Sequence, residues 1–182
     1  MHLIFYIISP FLTFLYSCFD LRKRTAQIVF VLFFALFGYC HTFEDMRADS
    51  FRKYESFSNY AAEEYGDIYD NFRAGEEKDI YEDLLFSTLK LFTDNPHIMM
   101  MVVGLVAGIF YMLVTKRFLE DRVMEYTWPI AILVIMFIFN LNIPQLGGIR
   151  SFTPFPIFTY SLIRLIFDGK RAAIIGILIA PL

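Results

Sequence analysis

The sequence is short of nearly everything on which soluble enzymes are built. It has two cysteines, Cys18 and Cys40, and three scattered histidines, His2, His41 and His97. They form no Cys-x-x-Cys pair, His/Cys cluster or zinc-ligand spacing, so a thiol-redox centre or a structural zinc has no basis here. A G-x-S-x-G elbow, a Walker loop, an H-E-x-x-H helix and a dinucleotide-binding glycine pattern are also missing. Their absence removes the usual sequence support for soluble-enzyme catalysis and for ATP-driven transport. No residue set calls for a metal or a nucleotide cofactor.

Charge is missing over long stretches. Met1–Phe19, Thr25–Phe43, Asn95–Thr115 and Tyr126–Ile149 contain no Asp, Glu, Lys or Arg. Each is long enough to cross a hydrocarbon layer of roughly 30 Å as a helix rising about 1.5 Å per residue. A helix apolar on all sides needs lipid or a large core around it. The pattern therefore predicts an all-α fold, a polytopic transmembrane bundle of about five or six spans carrying a helical loop on its outer face.

Three regions follow: a transmembrane hairpin over 1–42, an acidic extracytoplasmic loop over 43–96, and a second transmembrane bundle over 97–182 whose last span is incomplete. In the hairpin, span one (about Leu3–Phe19) contains Pro10 and should kink there, and span two runs from about Ala26 to His41. Span three, about Ile98–Thr115, carries Gly104 and Gly108 at a spacing that permits close helix approach. Span four is about Trp128–Leu141. Ser151–Phe167 is a weaker span, expected to be broken at its outer end by Pro154 and Pro156 and interrupted by Arg164, which should snorkel to the cytoplasmic side. Ala172–Leu182 reaches only about half the hydrocarbon thickness, which reads as a fragment or a truncated gene. Cys18 and Cys40 fall in opposite leaflets, too far apart to pair, and read as packing residues.

Basic residues crowd into alternate connectors: Arg22, Lys23 and Arg24, then Lys116, Arg117 and Arg122, then Lys170 and Arg171. The positive-inside bias puts these in the cytoplasm, and puts Met1, the 43–96 loop and the Asn140–Arg150 connector outside. A cleaved signal peptide does not fit, because the basic cluster follows the first apolar run instead of preceding it.

The loop between Phe43 and Pro96 holds fourteen acids against six bases, although the whole chain is only −3. An acidic loop in a basic membrane frame argues against a nucleic-acid partner, which needs a clustered positive face. Its apolar residues, among them Phe51, Tyr54, Phe57, Tyr65, Ile68 and Phe72, recur at three- or four-residue steps. That spacing predicts one or two amphipathic helices, a break at Ala74-Gly75, a further helix from Ile80, and a stop at Asn95-Pro96. The aromatic edge should lie in the headgroups or on the bundle.

The densest candidate site is Glu44–Tyr54. On a helix Asp45 and Asp49 share a face, as do Asp49 and Lys53. Two carboxylates with Arg47 and Arg52 can grip a sugar or a phosphate, one carboxylate serving as general base; a solvated, self-paired helix face is the competing reading. Arg150, following Gly147 and Gly148, is an outer-side arginine against the orientation rule. It reads as an anion contact or as an interfacial anchor.

The hairpin, the segments FEDMRADSFRKYESF and DIYEDLL, and the connector NIPQLGGIRSFT together resemble the EpsG family of bacterial exopolysaccharide, capsule and O-antigen loci, similar to Wzy-type polymerases. Asp49, Ser50 and Arg52 to Tyr54 correspond to that family's acidic, Tyr-rich core, and Asn142 with Ile149-Arg150 to its later arginine motif. Family members are longer, so the resemblance is to their N-terminal part. It implies a bacterial inner-membrane glycosyltransferase that moves a glycan from undecaprenyl diphosphate onto a repeat unit at the outer face, beside membrane lipids and other polysaccharide-assembly proteins. Asp45 or Asp49 would be the catalytic base; Arg47, Arg52, Tyr54 and Arg150 would bind substrate, with Tyr54, Phe57 and Tyr60 stacking on sugars. Two other classes stand beside it: a transporter or flippase gated by the acidic segment, and a non-catalytic scaffold of an export complex.

Overall fold

A computed structural model describes residues 2–42, 49–60, 65–75, 80–120, 153–169 and 171–179. Among the described residues every regular element is a helix and none is a strand, so the all-α expectation holds. The expected fourth span, Trp128–Leu141, lies outside the described residues.

The first apolar run is two helices, α1 (His2–Ile8) and α2 (Pro10–Ser17), separated at Ser9. Ser9 is extended, with φ −149° and ψ 89°, because the Pro10 ring disfavours helical backbone in the residue before it. The expected kink is thus a full break. Pro10 then starts α2, where its missing N–H costs nothing.

The chain reverses through 18–23 into α3 (Arg24–Tyr39). Phenylalanines close this hairpin: Phe14 stacks on Phe33 with ring centres 4.1 Å apart and meets Phe30 at 5.5 Å. The Tyr6 hydroxyl donates to the Leu32 carbonyl at 2.8 Å and ties α1 to the same helix.

Three helices form a cap, α4 (Asp49–Asn59), α5 (Tyr65–Ala74) and α6 (Ile80–Lys90). The predicted break is at Gly75, whose φ of +78° is left-handed backbone that glycine adopts without a Cβ clash. Of the two places expected for the cap's aromatic edge, headgroups or bundle, Phe57 and Phe86 take the bundle, while Tyr54 and Tyr65 stay exposed. Phe57, Phe86 and Leu89 share one buried cluster with Met99, Met100 and Val103 of the next helix, and with Phe14, Phe30 and Phe34.

That next helix, α7 (Pro96–Glu120), starts where the Asn95 side chain accepts the His97 backbone N–H at 2.9 Å. Asn95-Pro96 therefore ends the cap and also begins α7, as an N-cap followed by proline at the first helical position. Its segment Pro96–Arg117, 22 residues, is long and apolar enough to cross a membrane; α3 and the helix at Pro154–Asp168 are shorter apolar helices.

α3 packs closely along α7, and glycine makes the approach possible. A Cβ on Gly104 would lie 2.3 Å from the Phe34 carbonyl oxygen, and one on Gly38 only 2.2 Å from that of Met100. The Gly104-x-x-x-Gly108 spacing does mark a close contact, and the partner is α3.

Beyond the undescribed stretch, α8 (Pro154–Asp168) is one uninterrupted helix. The expected break at Pro154 and Pro156 does not occur, because both prolines sit in the first turn, where no N–H is needed for the helical ladder. Gly169, at φ +62°, ends α8, and α9 (Ala173–Ile179) folds back on it with Gly176 seated against Ser161.

Candidate functional site

The polar residues divide between the two ends of the bundle. At one end stands the acidic cap. At the other end lie the connector 18–23 and the end of α7, because α3 and α7 run antiparallel, and the end of α8, because Arg117 reaches Asp168. The described bases Arg22, Lys23, Arg24, Lys116, Arg117 and Arg171 therefore lie at one end, opposite the acidic cap.

In the cap, α4 presents two faces with different chemistry. Positions 53, 57 and 60, spaced four and three residues apart, point inward. Phe57 is fully buried and meets Phe86 edge-on at 5.2 Å. Tyr60 is half-buried and shares a hydrogen bond with the Ser87 hydroxyl at 3.1 Å. Neither ring is available to stack on a sugar as expected, since the same periodicity that made them look like a binding edge places them in the core. Tyr54, 36% exposed, is the one of the three that still presents a face.

Lys53 lies on this inward face. Its ammonium donates to both Glu82 carboxylate oxygens, at 2.6 and 2.5 Å, with the residues only 9% and 6% exposed. The expected solvated helix face is wrong for this residue. A cation on the apolar side of α4 meets an anion on the apolar side of α6, and together they lock the helices. Lys90 adds a second tie, with its ammonium 5.0 Å from the centre of the Phe57 ring, 2.9 Å from Asp94 and 3.3 Å from the Ser58 carbonyl.

The outward face of α4 carries Arg52 and Glu55, both exposed, beside Tyr54, whose ring is 6.1 Å from that of Phe51. Asp49 is the first residue of the helix. Tyr65 and Tyr69 on α5 are 49% and 57% exposed. A guanidinium and several tyrosine faces on a rigid, pinned scaffold can contact an anionic sugar or a phosphate. Asp45, Arg47 and Arg150 lie outside the described residues. Among the described residues no three His, Cys, Asp or Glu side chains converge as metal ligands would.

At the opposite end Asp168 binds two arginines. Arg117 of α7 reaches one carboxylate oxygen, and Arg164, one turn back on α8, reaches the other at 2.6 Å. Arg164 extends along α8 toward the basic connector at 170–171, where its i, i+4 neighbour Asp168 holds it, and its guanidinium lies 5.9 Å from the Tyr160 ring. Cys18 is buried as a packing residue, but Cys40, just past the end of α3, is exposed and is not one.

Two participants, Lys53 as an internal tie and Glu82, were missed as functional positions by sequence reasoning. The signal was present: Lys53 is four residues before Phe57, and Glu82 is four before Phe86. A single charge on the apolar stripe of each of two neighbouring helices is the pattern of an internal ion pair. No family model, curated protein or solved structure matches the chain.

Proposed function

We propose that this chain is a polytopic inner-membrane protein of bacterial polysaccharide assembly, with its cap on the outer face, acting on glycan carried by undecaprenyl diphosphate in the manner of a polysaccharide polymerase. The observation that carries this reading is the pinned cap. It seats an outward face with Arg52, Tyr54 and the start of α4 at the end of the apolar bundle, where a membrane-borne pyrophosphate and its sugars would lie. Segregation of the basic connectors to the far end supports the orientation. In this reading Asp45 or Asp49 takes the acceptor hydroxyl proton, and Arg47, Arg52 and Arg150 hold the diphosphate.

The test is complementation of a polymerase-deficient strain with the full-length protein. Asp49→Asn is expected to lower polymer formation by about 10²–10⁴-fold if it is the base, collapsing the glycan ladder to single units. Arg52→Ala should shorten the ladder without loss of the protein, because the residue is exposed. Wild-type ladders from both variants would favour a scaffold and end the site assignment.

Orientation has a separate test. In a Cys40→Ser background, a membrane-impermeant maleimide should label Asp70→Cys of α5 in intact spheroplasts and Arg171→Cys only after permeabilisation; both positions are exposed. The opposite pattern would put the cap in the cytoplasm, without access to the carrier.

A further inference from the structure

A groove of about 440 Å³ runs along the outside of the α3–α7 contact, lined by Arg24, Gln27, Ile28, Val31, Leu32 and Met112. We propose that this groove binds an anionic phospholipid of the leaflet opposite the cap, with an acyl chain along Ile28, Val31, Leu32 and Met112 and the phosphate on Arg24. The inference rests on the membrane reading above, but concerns a different ligand and the other end of the bundle from the carrier-binding face.

Charge complementarity selects the occupant. The walls are apolar except at one end, and polar groups there are already committed with one exception. The Gln27 amide donates to the Leu21 carbonyl at 2.8 Å. Lys23 is joined to Asp20, whose hydrogen bond, and next its charge, hold that ammonium above its ordinary value. Arg24 is exposed and has no ion pair among the described residues. A guanidinium at the mouth of an apolar trough suits a phosphate ester with a hydrocarbon tail, and suits neither a free anion nor a neutral lipid as well.

The length also fits. From Arg24 to Leu32 the helix rises about 12 Å at about 1.5 Å per residue, against a leaflet of about 15 Å of hydrocarbon. With Arg24 at the interface, the trough would follow a chain almost to the midplane. Ile28 and Leu32 are 48% and 37% exposed, so their surface is there to be covered.

The experiment is titration of phosphatidylglycerol, with phosphatidylcholine as comparison, into the full chain in uncharged detergent, followed by native mass spectrometry. Phosphatidylglycerol should stay bound where phosphatidylcholine is stripped. Arg24→Ala should weaken its binding about fivefold, the loss of one basic contact at the interface. Arg24→Lys should retain most of it, which separates loss of the cation from loss of the fold. Arg73→Ala, an exposed arginine in the cap, should change nothing, and Val31→Trp, which fills the trough, should release phosphatidylglycerol. Equal retention of the two lipids, or equal weakening by Arg24→Ala and Arg73→Ala, would overturn the proposal. So would a lipid-free dimer that Val31→Trp dissociates, since that assigns the trough to a second copy. A chain released from membranes without detergent would defeat the membrane reading itself, whereas a detergent-requiring chain without lipid preference would defeat only this site.

Discussion

Replacing Gly104 with alanine is expected to destabilise the protein by about 1–3 kcal/mol, and replacing it with leucine by more. The obstacle to the new Cβ is the carbonyl oxygen of Phe34, 2.3 Å away, with its carbon at 3.0 Å. Backbone in the middle of a helix cannot rotate aside as a side-chain tip can, so α3 and α7 must move apart. Separation would also loosen the Phe34–Tyr111 stack, now 5.7 Å between ring centres. Between apolar helices in lipid, close van der Waals contact supplies much of the association energy, and this contact is where it concentrates. Gly38→Ala should behave alike, since its Cβ would meet the Met100 oxygen. Gly66→Ala in α5 is the control. Among the described residues nothing lies within 4 Å of that position, and alanine favours helix, so the variant should be neutral or slightly stabilised. Thermal unfolding in detergent would rank the three. A Gly104→Ala midpoint equal to wild type would mean that the helices do not meet as described.

Removal of one partner of the cap's internal ion pair should be the most damaging single truncation of a charge. Lys53→Ala leaves the Glu82 carboxylate buried without its cation, and Glu82→Ala leaves the ammonium; each is expected to cost about 3–5 kcal/mol. The double variant Lys53→Met/Glu82→Leu should recover most of that loss, because an ion pair and a well-packed apolar pair differ little once neither charge is stranded. Strong coupling between the two positions is therefore the expected signature. Limited proteolysis of the cap and thermal unfolding would read it. Single variants that lose under about 1 kcal/mol, the range of exposed pairs, would show that the pair is open to water.

The cap was the part of the fold most legible in the residues. Phe57, Ile68 and Phe86 recur at helical spacing, and Gly75 and Asn95-Pro96 punctuate them at the positions where helices stop and start. Local rules were less informative where a residue can play opposite parts. Proline breaks a helix from within but opens one from its first turn. Pro10 does both at once, and Pro154 and Pro156 only open α8. In the candidate site, Arg52 and Tyr54 are exposed, whereas Phe57 is buried and Tyr60 is half-buried. An aromatic stripe read from one helix has no way to distinguish a ligand-facing edge from a core-facing one.

By itself, the order of residues determined that this chain is helical, where its apolar runs begin and end, and which connectors hold the bases. Those properties depend on the pitch of a single helix and on side chains a few positions apart. Tertiary structure alone decided that Gly104 faces Phe34, that Lys53 meets Glu82 across 29 residues, and that Asp168 gathers Arg117 and Arg164. Each is a choice of partner among sequence-distant groups, governed by which helix faces fit closely enough to exclude solvent and leave no charge uncompensated.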